Sequence, residues 1–514
     1  MSNRRVRARY APSPTGFQHI GGVRTALFCY LFVKKHGGDF IVRIEDTDQN
    51  RFVEGAEEYI YKTLDWCGIT VDEGVKAGGD YGPYKQSERK GMYMQYAMQL
   101  VEAGHAYYAF DTSEELTQKR EEAKTQGLPN WQYNSITRQY MRNSLSLSAD
   151  EVDKLKAEGA DYVIRLKVPR GEEVKLHDEI RGWVNVQSNQ IDDKVLMKGD
   201  GMPTYHLANV VDDYSMKISH VIRGEEWLPS TPLHVLLYRY LGWEDVMPVF
   251  AHLPLILKPD GKGKLSKRDG DRLGFPVFPL AWEHPTDGTS SSGYKEFGFF
   301  PEAFINMLAF LGWNPGTEQE VFSMDELTEA FTLERVGKSG ARFDWEKAKW
   351  YNQQYLKNKP ASDLMEPFKA ILAENNAQYN DADLPSIIDM AKERATFIPD
   401  LWDSSKYFFT DDFTYDEKTI RKKWKPESKA NFDVILDRLK SLNDFSSENI
   451  EKLIKDFLAE KELGFGAVLP PLRVALTGAG GGPPLFNIMA IIGKPTVIER
   501  LEKGVAAFED GLQQ

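Results

Sequence analysis

A chain of 514 residues exceeds what one hydrophobic core fills, and length alone implies roughly three to four domains. With 41% hydrophobic and 27% charged residues it is not fibrous, collagenous or wholly disordered, and no uncharged apolar run approaches the ~18 residues of a membrane span. The 64 basic and 77 acidic side chains leave a net charge of −13, so any contact with nucleic acid is confined to local basic faces on an acidic body.

Val6, Ala8 and Tyr10 alternate as a strand, which Ala11-Pro12-Ser13-Pro14-Thr15-Gly16 breaks. From Gly21 to His36 the spacing turns helical: Val23, Ala26, Leu27, Tyr30, Leu31 and Val33 share a face, and Gly37-Gly38 ends the helix. Phe40 to Ile44 reads as a second strand of buried character, and strand, helix, strand implies a parallel sheet. A third strand, Ile218 to Ile222, follows only after a long polar stretch, as expected of a sheet interrupted by an insertion. Residues 270–298, rich in Gly, Pro and Ser, read as a long loop.

From residue 346 onward the pattern is helical. Phe432, Ile435, Leu436, Leu439 and Leu442 keep helical spacing, as do Ile450, Leu453, Ile454 and Phe457, with Ser446 or Ser447 as N-cap. Arg421 to Lys425 reads as a solvated helix face. The segment Gly478 to Pro483 reads as a turn between helices, because no Gly-Lys-Ser/Thr follows and Pro483 stands where a dinucleotide fingerprint has its third glycine. Cys29 and Cys67 cannot form a disulfide framework and fit a reducing compartment. The early start of the first motif, at Arg9, leaves no room for a removable presequence, and a cytoplasmic location is expected.

Four stretches carry chemistry. The string Pro12 to Gly22 lies between a strand and a helix, where unpaired N–H groups and the positive dipole end hold phosphate; His19 adds a donor, and Gly21 and Gly22 allow close approach. A lone histidine there is more simply a cap, so it is the whole string that is specific. Lys264-Leu265-Ser266-Lys267-Arg268, behind Asp260-Gly261-Lys262-Gly263, sets two lysines three apart on a glycine-flanked loop that can close over a polyphosphate. Arg223, in Val221 to Trp227, falls at the end of a buried strand, where open α/β sheets bind ligands; alternatively it pairs with Glu225 or Glu226. Arg43-Ile44-Glu45-Asp46-Thr47-Asp48 ends the second strand, and the period of two points Glu45 into the same crevice, while Asp48 reads as an acidic turn.

Together with Tyr81 to Arg89, Pro203 to Trp227 and Arg473 to Gly478, these stretches make the chain resemble the bacterial-type glutamyl-tRNA synthetases, which are class I aminoacyl-tRNA synthetases. His19-Ile20-Gly21-Gly22 stands where the family has its HIGH signature, and Lys264 to Arg268 where it has KMSKS. The resemblance implies a Rossmann-type α/β catalytic domain (1–87 and 200–256), an inserted α/β acceptor-binding domain (88–199) and a stem-contact domain with the KMSKS loop (257–345). An all-α anticodon-binding half would follow, in two subdomains (346–425 and 426–514).

It also implies ATP-dependent activation of L-glutamate with Mg²⁺, transfer to tRNA(Glu), and a monomer. By resemblance His19, Lys264 and Lys267 are catalytic, with Thr15, Gly16, Gly21, Gly22, Glu226, Trp227, Leu265 and Ser266 also at the ATP. Glutamate has two carboxylates and one ammonium, which suits Arg9 and Arg223 with Tyr205 and Asn209 for the former, and Glu45 and Ser13 for the latter; the resemblance adds Ala11 to the glutamate-binding residues. Which arginine takes the side-chain carboxylate stays open at this point. Trp350, Tyr351 and Arg421 are candidate anticodon platforms.

In place of the zinc knuckle of many bacterial relatives stand Ala106 to Phe110 and Trp131-Gln132-Tyr133 without a cysteine, so packed aromatics and no zinc are expected. Competing readings are a glutaminyl-tRNA synthetase with a β-rich anticodon half, a truncated enzyme that glutamylates a tRNA base, and a paralogue that binds tRNA without catalysis.

Overall fold

The computed structural model describes residues 4–285 and 288–512 and divides between Tyr351 and Asn352 into two units. In the first unit, strand β1 (Arg7–Tyr10) leads through a turn to helix α1 (Ile20–Lys35) and strand β2 (Asp39–Val42), which pairs parallel with β1. The helix forms because its apolar positions all find cover: Ile20, Leu27, Phe28, Leu31 and Val33 are buried. Beyond β3 (Glu73–Gly74), the sheet takes in β4 (Glu173–Asp178), β5 (Gly182–Gln187), β6 (His220–Gly224) and β7 (Val249–Leu253), in the spatial order β3-β2-β1-β6-β7-β4-β5. All its pairings are parallel except the β4–β5 hairpin. Helix α2 (Tyr205–Ser215) precedes β6.

The segment 88–199 is not a separate body. Its strands Ala106–Ala109, Val163–Leu166 and Val195–Met197 form a small antiparallel sheet of their own, but β4 and β5 leave it and extend the main sheet, with Asp178 in register with Phe250. The cause is the alternation of β4: Val174 and Leu176 share one core with Val221 and Phe250, so the hairpin is worth more against the sheet than in solvent. In the stretches Ala106 to Phe110 and Trp131 to Tyr133 the expected aromatic packing is present: Tyr107, Ala109, Tyr133 and Met141 pack with Trp131 at their edge, and the Tyr107 hydroxyl donates to Asp193 Oδ2 at 2.7 Å.

Residues 270–298 are only partly a loop. A short helix, Lys267–Leu273, is followed by a two-stranded ribbon (Trp282–Glu283 with Ser290–Ser291) and the turn Tyr294–Phe297; positions 286 and 287 lie outside the described residues. Phe278, Leu280 and Tyr294 are buried among the Gly and Pro residues that suggested a loop, and the Tyr59 hydroxyl donates to Leu280 O at 2.6 Å. Gly293 permits this course, because a Cβ there would strike the Leu280 backbone.

Among the described residues of the second unit every regular element is a helix, and the helix Trp345–Asn358 spans the division at residues 351 and 352 instead of starting after it. One apolar cluster draws Ile420 and Trp424 together with Phe432, Ile435, Ile454 and Phe508, so a common core runs across residue 425. Ser446 precedes the helix Ser447–Glu460, and residues 478–484 turn the chain between Phe465–Thr477 and Leu485–Ile492. Among the anticodon candidates, Arg421 is exposed and pairs with Glu417, whereas Tyr351 is buried and offers no face to a base.

Candidate active site

A cleft of about 1020 Å³ opens at the carboxyl ends of β1, β2 and β6, the place where a parallel sheet leaves its strand ends uncovered. His19 caps α1: its Nδ1 accepts from Gly21 N at 3.1 Å. An accepting Nδ1 in a neutral imidazole places the ring proton on Nε2, so the cap converts His19 into a donor. The first turn of α1 carries no acidic residue, so its positive end is not neutralised locally. Gly22 has a packing reason as well: a Cβ there would come within 3.1 Å of the Tyr10 hydroxyl and 3.2 Å of Gln18 Oε1.

Beneath the cleft lies a buried charge network. Arg9 Nε reaches Asp213 Oδ1 at 2.9 Å, and Arg43 reaches the same oxygen at 2.7 Å and Glu45 Oε1 at 2.9 Å. Asn209 Nδ2 donates to that Glu45 oxygen at 3.0 Å. Burial is the largest single influence and by itself would lower the affinity of Arg9 and Arg43 for protons, but Asp213 and Glu45, with Asp212 at Arg43, together outweigh it and hold both above the ordinary arginine value.

Arg223 differs. Its guanidinium donates to the Tyr205 hydroxyl (2.6 Å), Thr231 Oγ1 (2.9 Å), His252 Nε2 (3.0 Å) and Trp227 O (3.3 Å), all neutral acceptors. Burial, with Arg9 nearby, pushes Arg223 below the usual arginine value. Neither glutamate expected as a partner takes it: Glu225 pairs with Arg181, and Glu226 accepts from Lys264 Nζ at 2.7 Å.

The loop bearing Lys264 is a tight hairpin, with Lys258 N to Gly263 O at 3.1 Å and Leu265 N to Ile256 O at 2.8 Å, and Leu265 is buried as its anchor. Ser266 caps the next helix by a reciprocal bond with Asp269, which holds the Asp269 carboxyl far below the ordinary range.

The cleft is lined by Arg9, Ala11, Ser13, Thr15, His19, Gly21 and Gly22 from the first βα turn and by Glu45 after β2. Tyr205, Asn209, Arg223, Glu226, Trp227, Lys264, Leu265 and Ser266 complete it. Gly16 does not line it; with φ at +114° it turns the chain instead. The side chain of Lys267 lies outside the described residues. Sequence reasoning missed Arg43 as a structural cation, and missed Asp213, Thr231, His252 and Asp178 altogether. Asp213 alone left a signal: it stands four residues after Asn209, on the same face of α2.

The chain is similar to known proteins over nearly its whole length. Residues 5–350 match the family model of class I tRNA synthetases (E and Q), catalytic domain, and residues 361–505 match an anticodon binding domain. The chain is 55% identical to the glutamate–tRNA ligase of Cytophaga hutchinsonii, over 98% of this chain and 97% of that one. It is 53% identical to that of Phocaeicola vulgatus, over 99% and 100%. A crystal structure of a glutamate tRNA ligase from Elizabethkingia meningosepticum in complex with its amino acid superposes with a TM-score of 0.90 at 51% identity, covering 98% of this chain and all of that one. With both halves matched in order and over nearly full length, the chain belongs to the class I tRNA synthetases of the glutamyl and glutaminyl branch, among the glutamate–tRNA ligases.

Proposed function

We propose that the cleft activates L-glutamate with ATP and passes the acyl group to the terminal adenosine of tRNA(Glu). The observation that carries this reading is Arg223, a buried guanidinium with neutral partners, in one cleft with the histidine-capped start of α1. A buried cation of that kind favours a carboxylate ligand, and a second carboxylate meets Arg9. Tyr205 and Asn209 orient the arginine side of the substrate, Glu45 and Ser13 receive its ammonium, and Ala11 lies at the glutamate.

In activation, a glutamate α-carboxylate oxygen attacks the α-phosphorus of ATP, and the bond to pyrophosphate breaks. Charge then grows on the phosphoryl oxygens, and His19 Nε2–H, Lys264 and, by resemblance alone, Lys267 stabilise it. Thr15, Gly21, Gly22, Glu226, Trp227, Leu265 and Ser266, which line the cleft, would hold the nucleotide, and Gly16 would serve them only by turning the chain. Among the described residues no three His, Cys, Asp or Glu side chains gather as metal ligands, so Mg²⁺ would enter on the phosphates of ATP rather than on a protein cage. Segments 88–199 and 257–345 would hold the acceptor end and stem, and the helical unit the anticodon, with Trp350 and Arg421 as candidate contacts. The protein would act as a cytoplasmic monomer; no described helix is long and apolar enough to cross a membrane.

A glutaminyl enzyme would need one carboxylate-binding arginine and a β-rich anticodon half, and among the described residues of the second unit there are helices and no strand. The test is aminoacylation with labelled glutamate, ATP and Mg²⁺ on transcripts of tRNA(Glu) and tRNA(Gln), with glutamine as the control amino acid. Glutamate on tRNA(Glu) is expected; no charging of either tRNA with glutamate would overturn the reading in favour of a paralogue that only binds tRNA.

A further inference from the structure

Arg223 is itself held by a buried chain of two further side chains. Its Nε donates to Nε2 of His252 on β7, and Nδ1 of His252 lies 2.6 Å from Oδ2 of Asp178, the last residue of β4. His252 and Asp178 are both fully buried. The other Asp178 oxygen accepts from Ile180 N (3.0 Å) and Arg181 N (2.8 Å), so the carboxylate cannot rotate freely. A guanidinium N–H can only donate, and a carboxylate can only accept. His252 must therefore present a bare Nε2 to Arg223 and a protonated Nδ1 to Asp178. The opposite tautomer would set N–H against N–H at one end and leave a carboxylate facing a lone pair at the other.

We propose that Asp178 and His252 are positioning residues for glutamate recognition: Asp178 selects the His252 tautomer, and His252 fixes the plane of the Arg223 guanidinium that receives a substrate carboxylate. This rests on the reading of the cleft given above. Asp178 reaches its place because the β4–β5 hairpin, although encoded within the 88–199 segment, docks on β7. The amino-acid site thus depends on a residue 45 positions before Arg223, and on no contact between Asp178 and the substrate.

Three variants test it. In Asp178→Asn the backbone donors of Ile180 and Arg181 keep the amide oxygen, which turns the NH₂ toward His252 Nδ1 and forces the wrong tautomer. His252→Asn keeps a group near Nδ1 but withdraws the acceptor from Arg223. His252→Gln restores an oxygen where Nε2 stood. Steady-state aminoacylation should show the glutamate KM raised about tenfold or more in Asp178→Asn and His252→Asn, with the KM values for ATP and tRNA and the kcat at saturating glutamate within about twofold. His252→Gln should return the glutamate KM to within about threefold of the wild type.

The proposal is overturned if the glutamate KM is unmoved in both disruptive variants, if the KM for ATP rises in step with it, or if His252→Gln is as impaired as His252→Asn. Melting temperatures identify any variant that fails to fold. If Asp178→Asn is one, the comparison of the two His252 variants decides. Calorimetric titration of the whole enzyme with L-glutamate separates the two levels: a wild type that neither binds nor charges glutamate refutes the cleft reading, whereas equal binding by wild type and Asp178→Asn refutes the relay alone.

Discussion

Asp213 Oδ1 stands 2.7 Å from Arg43 Nη1 and 2.9 Å from Arg9 Nε, with all three side chains almost wholly withdrawn from solvent. A single carboxylate oxygen on α2 thereby joins the strand that opens the fold to the segment leaving β2. Two cations are held at the floor of the cleft before any substrate arrives, which is the pre-organisation that electrostatic catalysis and recognition need.

Removing that carboxylate leaves two buried guanidinium groups short of a counter-ion. Asp213→Asn is expected to lower unfolding stability by about 3–5 kcal/mol, measured by urea titration at neutral pH. Burial alone would raise the Asp213 pKa, but Arg9 and Arg43 outweigh it and hold it below the ordinary range. A depressed folded value means that the contribution is complete above the unfolded pKa of about 3.9 and is lost as pH falls through the still lower folded one. The deficit of the variant should therefore stay constant from about pH 8 to about pH 5.

Acid acts earlier through histidine. Burial pushes both His206 and His220 down to about 4. Below the ordinary value of about 6.5 the unfolded chain binds protons that the folded one refuses, so stability is full above that value and declines from there to about pH 4. Melting temperature should fall on going from about pH 7 to about pH 5, and the fall should be smaller in His220→Asn, whose ring at the start of β6 lies 2.8 Å from Ser219 Oγ.

Lys264 and Glu226 form an ion pair in which both side chains are about half exposed, so the pair should contribute less than about 1 kcal/mol to folding. Lys264→Ala is expected to leave the melting temperature in place while lowering kcat for aminoacylation by about 10²–10³. A loss of stability comparable to that of Asp213→Asn would mean that Lys264 serves the fold instead.

In the 88–199 segment Tyr107 packs with Tyr133 and Met141, and no zinc is expected there. Treatment with EDTA followed by return of Mg²⁺ should leave charging at its full rate, and metal analysis of the purified protein should find only substoichiometric zinc. Tyr107→Ala should cost about 3–5 kcal/mol, read as loss of protection from proteolysis in this segment.

Contiguous features were legible from the sequence alone: the β1–α1–β2 unit, the eleven residues from Pro12 to Gly22, the lysine loop and the helical second half. Each of these is written in neighbouring residues, through turn chemistry, spacing of apolar side chains and helix capping, and local sterics act on them before any tertiary contact exists. The resemblance of the motifs carried the residue roles further than spacing could. Even locally the reading erred where composition hid packing, as in residues 270–298, where Phe278, Leu280 and Tyr294 are buried between glycines and prolines. It erred again at Tyr351, which the core covers.

The partners that give the cleft its charge pattern were decided only by the tertiary structure. Arg43 meets Asp213 across 170 residues, Asp178 meets His252 across 74, and His252 meets Arg223 across 29. Such pairings depend on which strands lie side by side and in what register, and a shift of one residue turns each side chain to the other face of the sheet. That register is set by the apolar faces of β4, β6 and β7 packing into one core, a sum over many weak contacts that no local spacing records.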